Sequence, residues 1–452
     1  MNIFGFLPRS RDLAARVLQP FHSFLEKEAA STFLLVSGAV VAMVWANSPF
    51  AHSYHEFWHA PVSLGFGEHV LTKSLLHWID EGLMAVFFFT VGLEIKREIL
   101  VGELASVRKA LLPVAAALGG MLLPAGIFAA LNAGTPVSVG WGIPMATDIA
   151  FALGAVALLG RRVPLALRVF LSAFAIADDL GAVVIIAVFY TKELIMDYLV
   201  LSGVFAFGLG VLNVLWVRRT LPYALLGIGL WLCVLGSGLH ATVAGVIVAA
   251  FIPARGRYDT DKFLNNISTA LQGFHCPPDG CGQSIMLNAQ HLHAVHTIEV
   301  SCHDVETPLQ RLEHALHPWV AFVVIPLFAL ANGGVTLATV DIAATLTSRL
   351  TLGITLGLFI GKPLGILLFS WLAVRLGLAG LPGEVGWRHV LGAGILGGMG
   401  FTMSLFIAGL SFSEAVTLDA AKIGILIGSV VSGLGGLYYL RRISLKNEGV
   451  PI

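Results

Sequence analysis

Residues 165–190 read LALRVFLSAFAIADDLGAVVIIAVFY, an apolar run long enough to cross a bilayer, with two adjacent aspartates, Asp178 and Asp179, halfway along it. Carboxylates at bilayer depth are expensive, so they mark an ion or proton path unless a neighbour explains them. Working outward from this run, segments of similar length and polarity recur from residue 31 to residue 440. We read twelve: approximately 31–46, 75–97, 110–131, 137–159, 165–190, 194–216, 221–237, 239–253, 315–335, 350–376, 389–410 and 418–440. The whole chain agrees with this reading. It is 57% hydrophobic and 12% charged over 452 residues, with a mean hydropathy of +0.85, far too apolar for a soluble domain of that length. Fifty glycines suit close helix packing in lipid. The expected fold is therefore an all-α polytopic membrane protein of about twelve transmembrane helices.

The basic residues test the count, since cytoplasmic loops hold the excess of Lys and Arg. With the N-terminus inside, only Lys73, Lys192, Arg349 and Lys422 fall on the outer side, and Lys362 alone sits in the middle of a span. Both termini are then cytoplasmic. The organisation expected is a cytoplasmic segment 1–30, one transmembrane domain 31–442 and a cytoplasmic tail 443–452. Residues 47–73 form an external connection and 254–314 a long polar cytoplasmic loop, irregular by default. A net charge of zero gives no reason to invoke nucleic acid. Four cysteines, three of them in the 254–314 loop, make no disulfide framework, and no removable signal peptide is read at the N-terminus.

Besides the aspartate pair, span 4 contains Thr147-Asp148 and span 10 contains Lys362. Asp148 suits two readings equally, an ion contact or a cap on a broken helix. Asp178 and Asp179 point about 100° apart on a helix, so one can face a cavity while the other faces a neighbour. The pair suits both a proton carrier and a hard-oxygen site for a small cation. Lys362 needs compensation by an acid or by helix carbonyl ends, and one of the span 5 aspartates is the expected partner. Gly142, Pro144 and Thr147-Asp148 interrupt span 4, while Gly394, Gly397, Gly398, Gly400 and Thr402 interrupt span 11. Two interrupted spans at matching places in two three-helix units point to an inverted-repeat transporter with its ion site at the breaks. Asp148 and Lys362 have the signs needed to neutralise the half-helix ends.

At these residues the chain resembles the NhaA family of sodium/proton antiporters, over nearly everything from 20 to 442. The resemblance is carried by Met84 to Phe89 followed by Gly92-Leu93-Glu94-Ile95-Lys96-Arg97-Glu98, by Ala146 to Gly154, by Asp178-Asp179-Leu180-Gly181-Ala182 and by Gly238-Leu239-His240-Ala241-Thr242. Leu312-Glu313-His314, Leu316-His317-Pro318-Trp319, Gly361-Lys362-Pro363-Leu364-Gly365 and Gly400-Phe401-Thr402-Met403-Ser404 complete it. It implies NhaA-like inverted repeats with broken, crossing helices in spans 4 and 11, and a bacterial inner-membrane antiporter that expels Na+ or Li+ against inward protons. It implies no cofactor and a homodimer. The position of Asp179 is then the main cation ligand, and that of Asp178 the second acid, able to pair with Lys362. Thr147 and Asp148 line the crossing. Glu94, Arg97, Glu98, Arg311, Glu313, His314 and His317 match a cytoplasmic cluster tied to activation at alkaline pH, and His240 matches another residue that affects the pH profile. The chain departs from familiar members between 258 and 307, where His275, Cys276, Cys281, His291, His293, His296, Cys302 and His303 stand in a longer loop.

Other readings carry less. Cys276-x4-Cys281 with scattered histidines is not a recognised zinc spacing. His314 and His317 beside Glu313 are not the His-Glu-x-x-His of a metallohydrolase, and no ordered nucleophile or metal triad stands at depth. The chain is accordingly read as a transporter and not an enzyme. A passive channel would not need proton-competing carboxylates beside a lysine.

Overall fold

The computed structural model describes residues 29–66, 69–191, 194–254, 260–272, 289–337 and 341–447. In a bilayer every backbone polar group must find its partner within the protein, and helices supply it locally. The first span is α1 (Ala29–Ala46). The connection that follows folds as α2 (Ala51–His59) and an antiparallel hairpin, β1 (Pro61–Phe66) against β2 (His69–Ser74), with Pro61 opposite Ser74 and Phe66 opposite His69. This hairpin is the one departure from all-helical structure among the described residues. Next come α3 (75–101) and α4 (Val107–Asn132), then a 3-10 segment Pro136–Met145 leading into α5 (Ile149–Leu159) and α6 (Leu165–Phe189).

Three more membrane helices follow: α7 (Met196–Val214), α8 (Thr220–Ser237) and the short α9 (Thr242–Phe251). The described part of 254–314 is helical where an irregular loop was expected. It holds α10 (Thr260–Gln272) packed on α11 (Ala289–Val305). The next span, α12 (Pro308–Asn332), begins well before residue 315. Thr307 and Gln310 form a capping box and Pro308 takes the first turn, so the helix starts where its caps are. Arg311, Glu313, His314 and His317 hid that start, because they make the first turns polar. Then come the short α13 (Ile342–Leu346), α14 (Arg349–Arg375), α15 (Trp387–Gly397), α16 (Phe401–Ser411) and α17 (Ala415–Asn447).

Nine of the described helices are long and apolar enough to cross a membrane, and α15 with α16, bent by 46° at a short break, makes a tenth. The other two expected spans are α3, which is long but charged, and the ten-residue α9.

The spans pack as two bundles. In one, α3, α7, α8, α9 and α12 share an apolar cluster that includes Leu93, Leu209, Leu230, Val248 and Leu309. In the other, α4, α5, α6, α14, α15 and α17 share a cluster around Ala116, Leu171, Phe174, Ile366 and Leu440. A third cluster, with Phe88, Ile176, Phe328 and Phe406, lies where the bundles meet. Outward faces carry large apolar side chains such as Phe207 and Leu434, the surface a lipid environment requires.

Within the second bundle, α4 to α6 and α14 to α17 are two three-span units, each with its middle span broken. They begin at the third and tenth crossings, so they run in opposite directions. The two units meet along α4 and α14, where Gly119 and Gly365 bring backbone against backbone and leave no room for a Cβ on either.

Candidate functional site

Both broken spans fail for local reasons. In span 4 the 3-10 segment, with Pro144 in its last turn, ends at Met145, and Ala146 and Asp148 are extended on either side of Thr147 before α5. In span 11, Gly398-Met399-Gly400 separate α15 from α16. The breaks cross, and bonds between them replace the missing helical ones. The Asp148 backbone N–H donates to the Met399 carbonyl at 2.6 Å, Thr147 Oγ1 donates to the Gly397 carbonyl at 3.0 Å, and Ser404 Oγ donates to the Ile143 carbonyl at 2.8 Å.

Four half-helix ends therefore face one another in the buried interior. Two are N-termini, and Asp148 serves both. Its Oδ1 accepts the Phe151 N–H of α5 at 3.2 Å. Its Oδ2 accepts the Thr402 N–H at 3.0 Å and the Thr402 hydroxyl at 2.6 Å at the start of α16. The carboxylate opposes the partial positive charge of both ends. The opposite ends, C-terminal, receive Thr147 at Gly397 and the Lys362 ammonium, which donates to the Met145 carbonyl.

Lys362 is fully buried. It follows a π-turn, Gly357–Gly361, in α14 and precedes Pro363. Proline cannot donate to the helix and crowds the preceding turn, and a locally widened turn relieves both. Lys362 Nζ reaches Asp178 Oδ2 at 2.8 Å. Asp178 and Asp179 on α6 are 1% and 2% exposed, which leaves water no direct access to either in this conformation. Among the described residues no hydrogen-bond partner stands at normal distance from Asp178 Oδ1 or Asp179 Oδ1, although both are buried, and Thr147 is the polar neighbour of Asp178. Asp179 lies in the field of Asp178, Asp148 and Glu94 and, more weakly, of Lys362. It is thus a buried acid among acids, with an oxygen free to accept a cation or a proton.

The remaining expected residues divide into three groups. Glu94 lies on α3, and its charge contributes to the field at Asp179. Arg97 pairs with Glu98 at 3.3 Å and, through Nε, with Glu313 at 3.1 Å, tying α3 to α12. Arg311 donates to the Arg218 carbonyl at 3.4 Å, His314 stands 3.6 Å from Glu306, and His317 is exposed on the same helix. His240 is elsewhere, at the α8–α9 turn, with Nε2 2.7 Å from the Tyr190 carbonyl and Nδ1 3.6 Å from Glu81 Oε1. His291, His293, His296 and Cys302 lie on α11, whereas His275, Cys276 and Cys281 fall outside the described residues.

Sequence reasoning passed over Thr402 as a partner of Asp148, and Asp80 and Glu81 at the start of α3. Glu81 accepts the Ala241 N–H at 3.0 Å beside His240. Two adjacent acids inside an apolar segment were the available signal.

The family model for Na+/H+ antiporter 1 matches residues 22–440. The chain belongs to this family. It is 51% identical over 448 residues to the Na(+)/H(+) antiporter NhaA of Oleidesulfovibrio alaskensis, covering 99% of this chain and 98% of that one. It is 48% identical to the Na(+)/H(+) antiporter NhaA 2 of Syntrophotalea carbinolica, over 95% of this chain and 97% of that one. The Na(+)/H(+) antiporter NhaA of Acidithiobacillus ferrooxidans is also 48% identical, over 96% of this chain and all of that one. The antiporter is thus a multi-pass membrane protein whose transported substrates are Na+ and H+, and the resemblance read from its motifs holds over nearly its whole length.

Proposed function

We propose that this antiporter, in a bacterial inner membrane with both termini cytoplasmic, exports Na+ or Li+ by alternating access at the Asp178–Asp179 pair. One observation carries the reading: two adjacent buried carboxylates, one held by Lys362 and one with an unbonded oxygen, at the crossing of two broken helices. Small hard cations take oxygen ligands, and protons take the same oxygens. When the site faces a cytoplasm of raised pH, the pair gives up protons and Na+ binds Asp179, with Thr147 and Asp148 nearby. When it faces outward, the higher proton concentration displaces the cation.

Asp148, with both oxygens already on helix N-termini, holds the crossing together and adds negative field more than it adds a free ligand. Two acids at the site give more than one proton per Na+, hence net charge movement. The second proton travels on Asp178 or, if the ion pair opens, on Lys362. The working unit is a homodimer. In proteoliposomes, an imposed inside-acid gradient should concentrate radioactive Na+ inside, and a potassium diffusion potential should change the rate. Sodium entry indifferent to the pH gradient would point to a channel, and exchange indifferent to voltage would remove the electrogenic part.

Activation at alkaline pH is assigned to the Arg97–Glu98–Glu313 network with Glu94, Arg311, His314 and His317, and to His240 at the opposite end. Glu313→Gln or His317→Ala should each move the activity midpoint by about one pH unit while keeping the maximal rate within about twofold, the size expected for one lost charge interaction. Midpoints that stay put for every member would leave these residues as interface anchors and place the pH response on the aspartates.

A further inference from the structure

A second charged network lies away from the ion site, at the start of α3. Asp80 Oδ1 accepts the Asn332 side-chain N–H at 2.8 Å. Lys422 on α17 donates to the Gly334 carbonyl, just past the end of α12, at 3.2 Å. Asp419 on its own helix and Asp80 across the gap are the acids whose fields reach its ammonium. Asp419 in turn accepts the Thr336 backbone N–H, and the Thr336 hydroxyl is 2.9 Å from His55 Nε2 on α2.

The membership of these residues matters. Asp80, Asn332 and Gly334 belong to α3 and α12 or the turn after it, in the first bundle, while Asp419 and Lys422 belong to the second. Lys422 therefore ties one bundle to the other. The Lys362–Asp178 pair is internal to the second bundle, and at the far end of α3 the Arg97–Glu313 pair is internal to the first. From Asp80 to Arg97 along one helix is about 25 Å at 1.5 Å per residue, so the tie and the Arg97 pair sit at opposite faces of the membrane. The basic-residue asymmetry assigns the Lys422 end to the outside.

Alternating access requires the two bundles to part at one face while closing at the other. A tie made by one half-buried ammonium on a carbonyl suits that task. It is strong while the gap is dry and weakens when water enters and screens it.

Building on the exchange reading, we propose that Lys422, bonded from α17 to the Gly334 carbonyl across the bundle boundary, is an outer gate of the antiporter. It is closed while Asp179 faces the cytoplasm and opens to release Na+ outside. Asp80 and Asn332 hold the first-bundle half of this gate, and Asp419 with Thr336 the second contact across it.

The test is a reversible lock. In a full-length protein whose four cysteines are replaced by serine, Thr336→Cys and Asp419→Cys are combined. Oxidation should lower Na+/H+ exchange by about tenfold or more, and reductant should restore it, because a protein held in one state loses activity in proportion to the competent fraction. Complete cross-linking with undiminished exchange overturns the gate. Exchange by the cysteine-free parent is the separate check on the transport reading. A second variant makes no use of cross-linking: Lys422→Gln should lower the half-saturating Na+ concentration from the outer face by about threefold and leave or raise it from the inner face. Equal shifts at both faces, or none at either, would also overturn the proposal.

Discussion

Asp179→Asn is expected to reduce Na+/H+ exchange to the background of protein-free membranes while the protein still inserts and folds. The amide fills the same space and can still contribute an oxygen, but it neither carries a proton nor balances a cation's charge. Among the described residues no partner holds Asp179 Oδ1, so no bond is lost at that oxygen. Asp178→Asn should abolish exchange as well, with a cost in stability, because that carboxylate holds Lys362. In everted vesicles, near-wild-type dequenching of a pH dye by NaCl with Asp179→Asn would rule out this site as the place of exchange.

The second large effect concerns the Lys362–Asp178 pair. An ammonium with no exposed surface is tolerable only with compensation, here one carboxylate and one helix-end carbonyl. Removing one member of a buried pair strands the other and costs about 3–5 kcal/mol, whereas removing both costs far less. Lys362→Gln and Asp178→Asn should thus each lower the melting temperature in detergent, and the double variant should recover much of the loss. Purely additive losses would mean that the two are not energetically partnered. Charge movement measured on Lys362→Gln in liposomes adds a second readout. If stoichiometry is unchanged, Lys362 does not carry the second proton.

What could be read from the sequence follows from the solvent. A bilayer offers polar groups nothing, so Asp178, Asp179, Asp148 and Lys362 stood out on cost alone, and glycine with proline marked where spans 4 and 11 break. The same logic fails near the membrane faces. Asp80, Glu81 and Lys422 sit close enough to segment ends to read as interface residues, so the bond from α17 to the turn after α12 went unseen. Pairings across long sequence separations were equally hidden. Nothing local to Thr402 says that its hydroxyl bonds Asp148, so the sequence left the capping role of Asp148 level with an ion contact, and the bonds from Thr402 and Phe151 display the cap. The helices α10 and α11 replaced an expected irregular loop because a polar stretch gives no membrane signal, although Thr260–Gln272 alternates apolar and polar residues at helical spacing.

The claim on which the rest stands is that Na+ and protons compete for the carboxylates of Asp178 and Asp179. Calorimetric titration of the purified antiporter with NaCl, in two buffers of different ionisation enthalpy, measures it directly. Na+ binding should release protons, with an apparent affinity that weakens as pH falls and a signal that vanishes in Asp179→Asn. Sodium binding that releases no protons, or that survives unchanged in Asp179→Asn, would contradict the account.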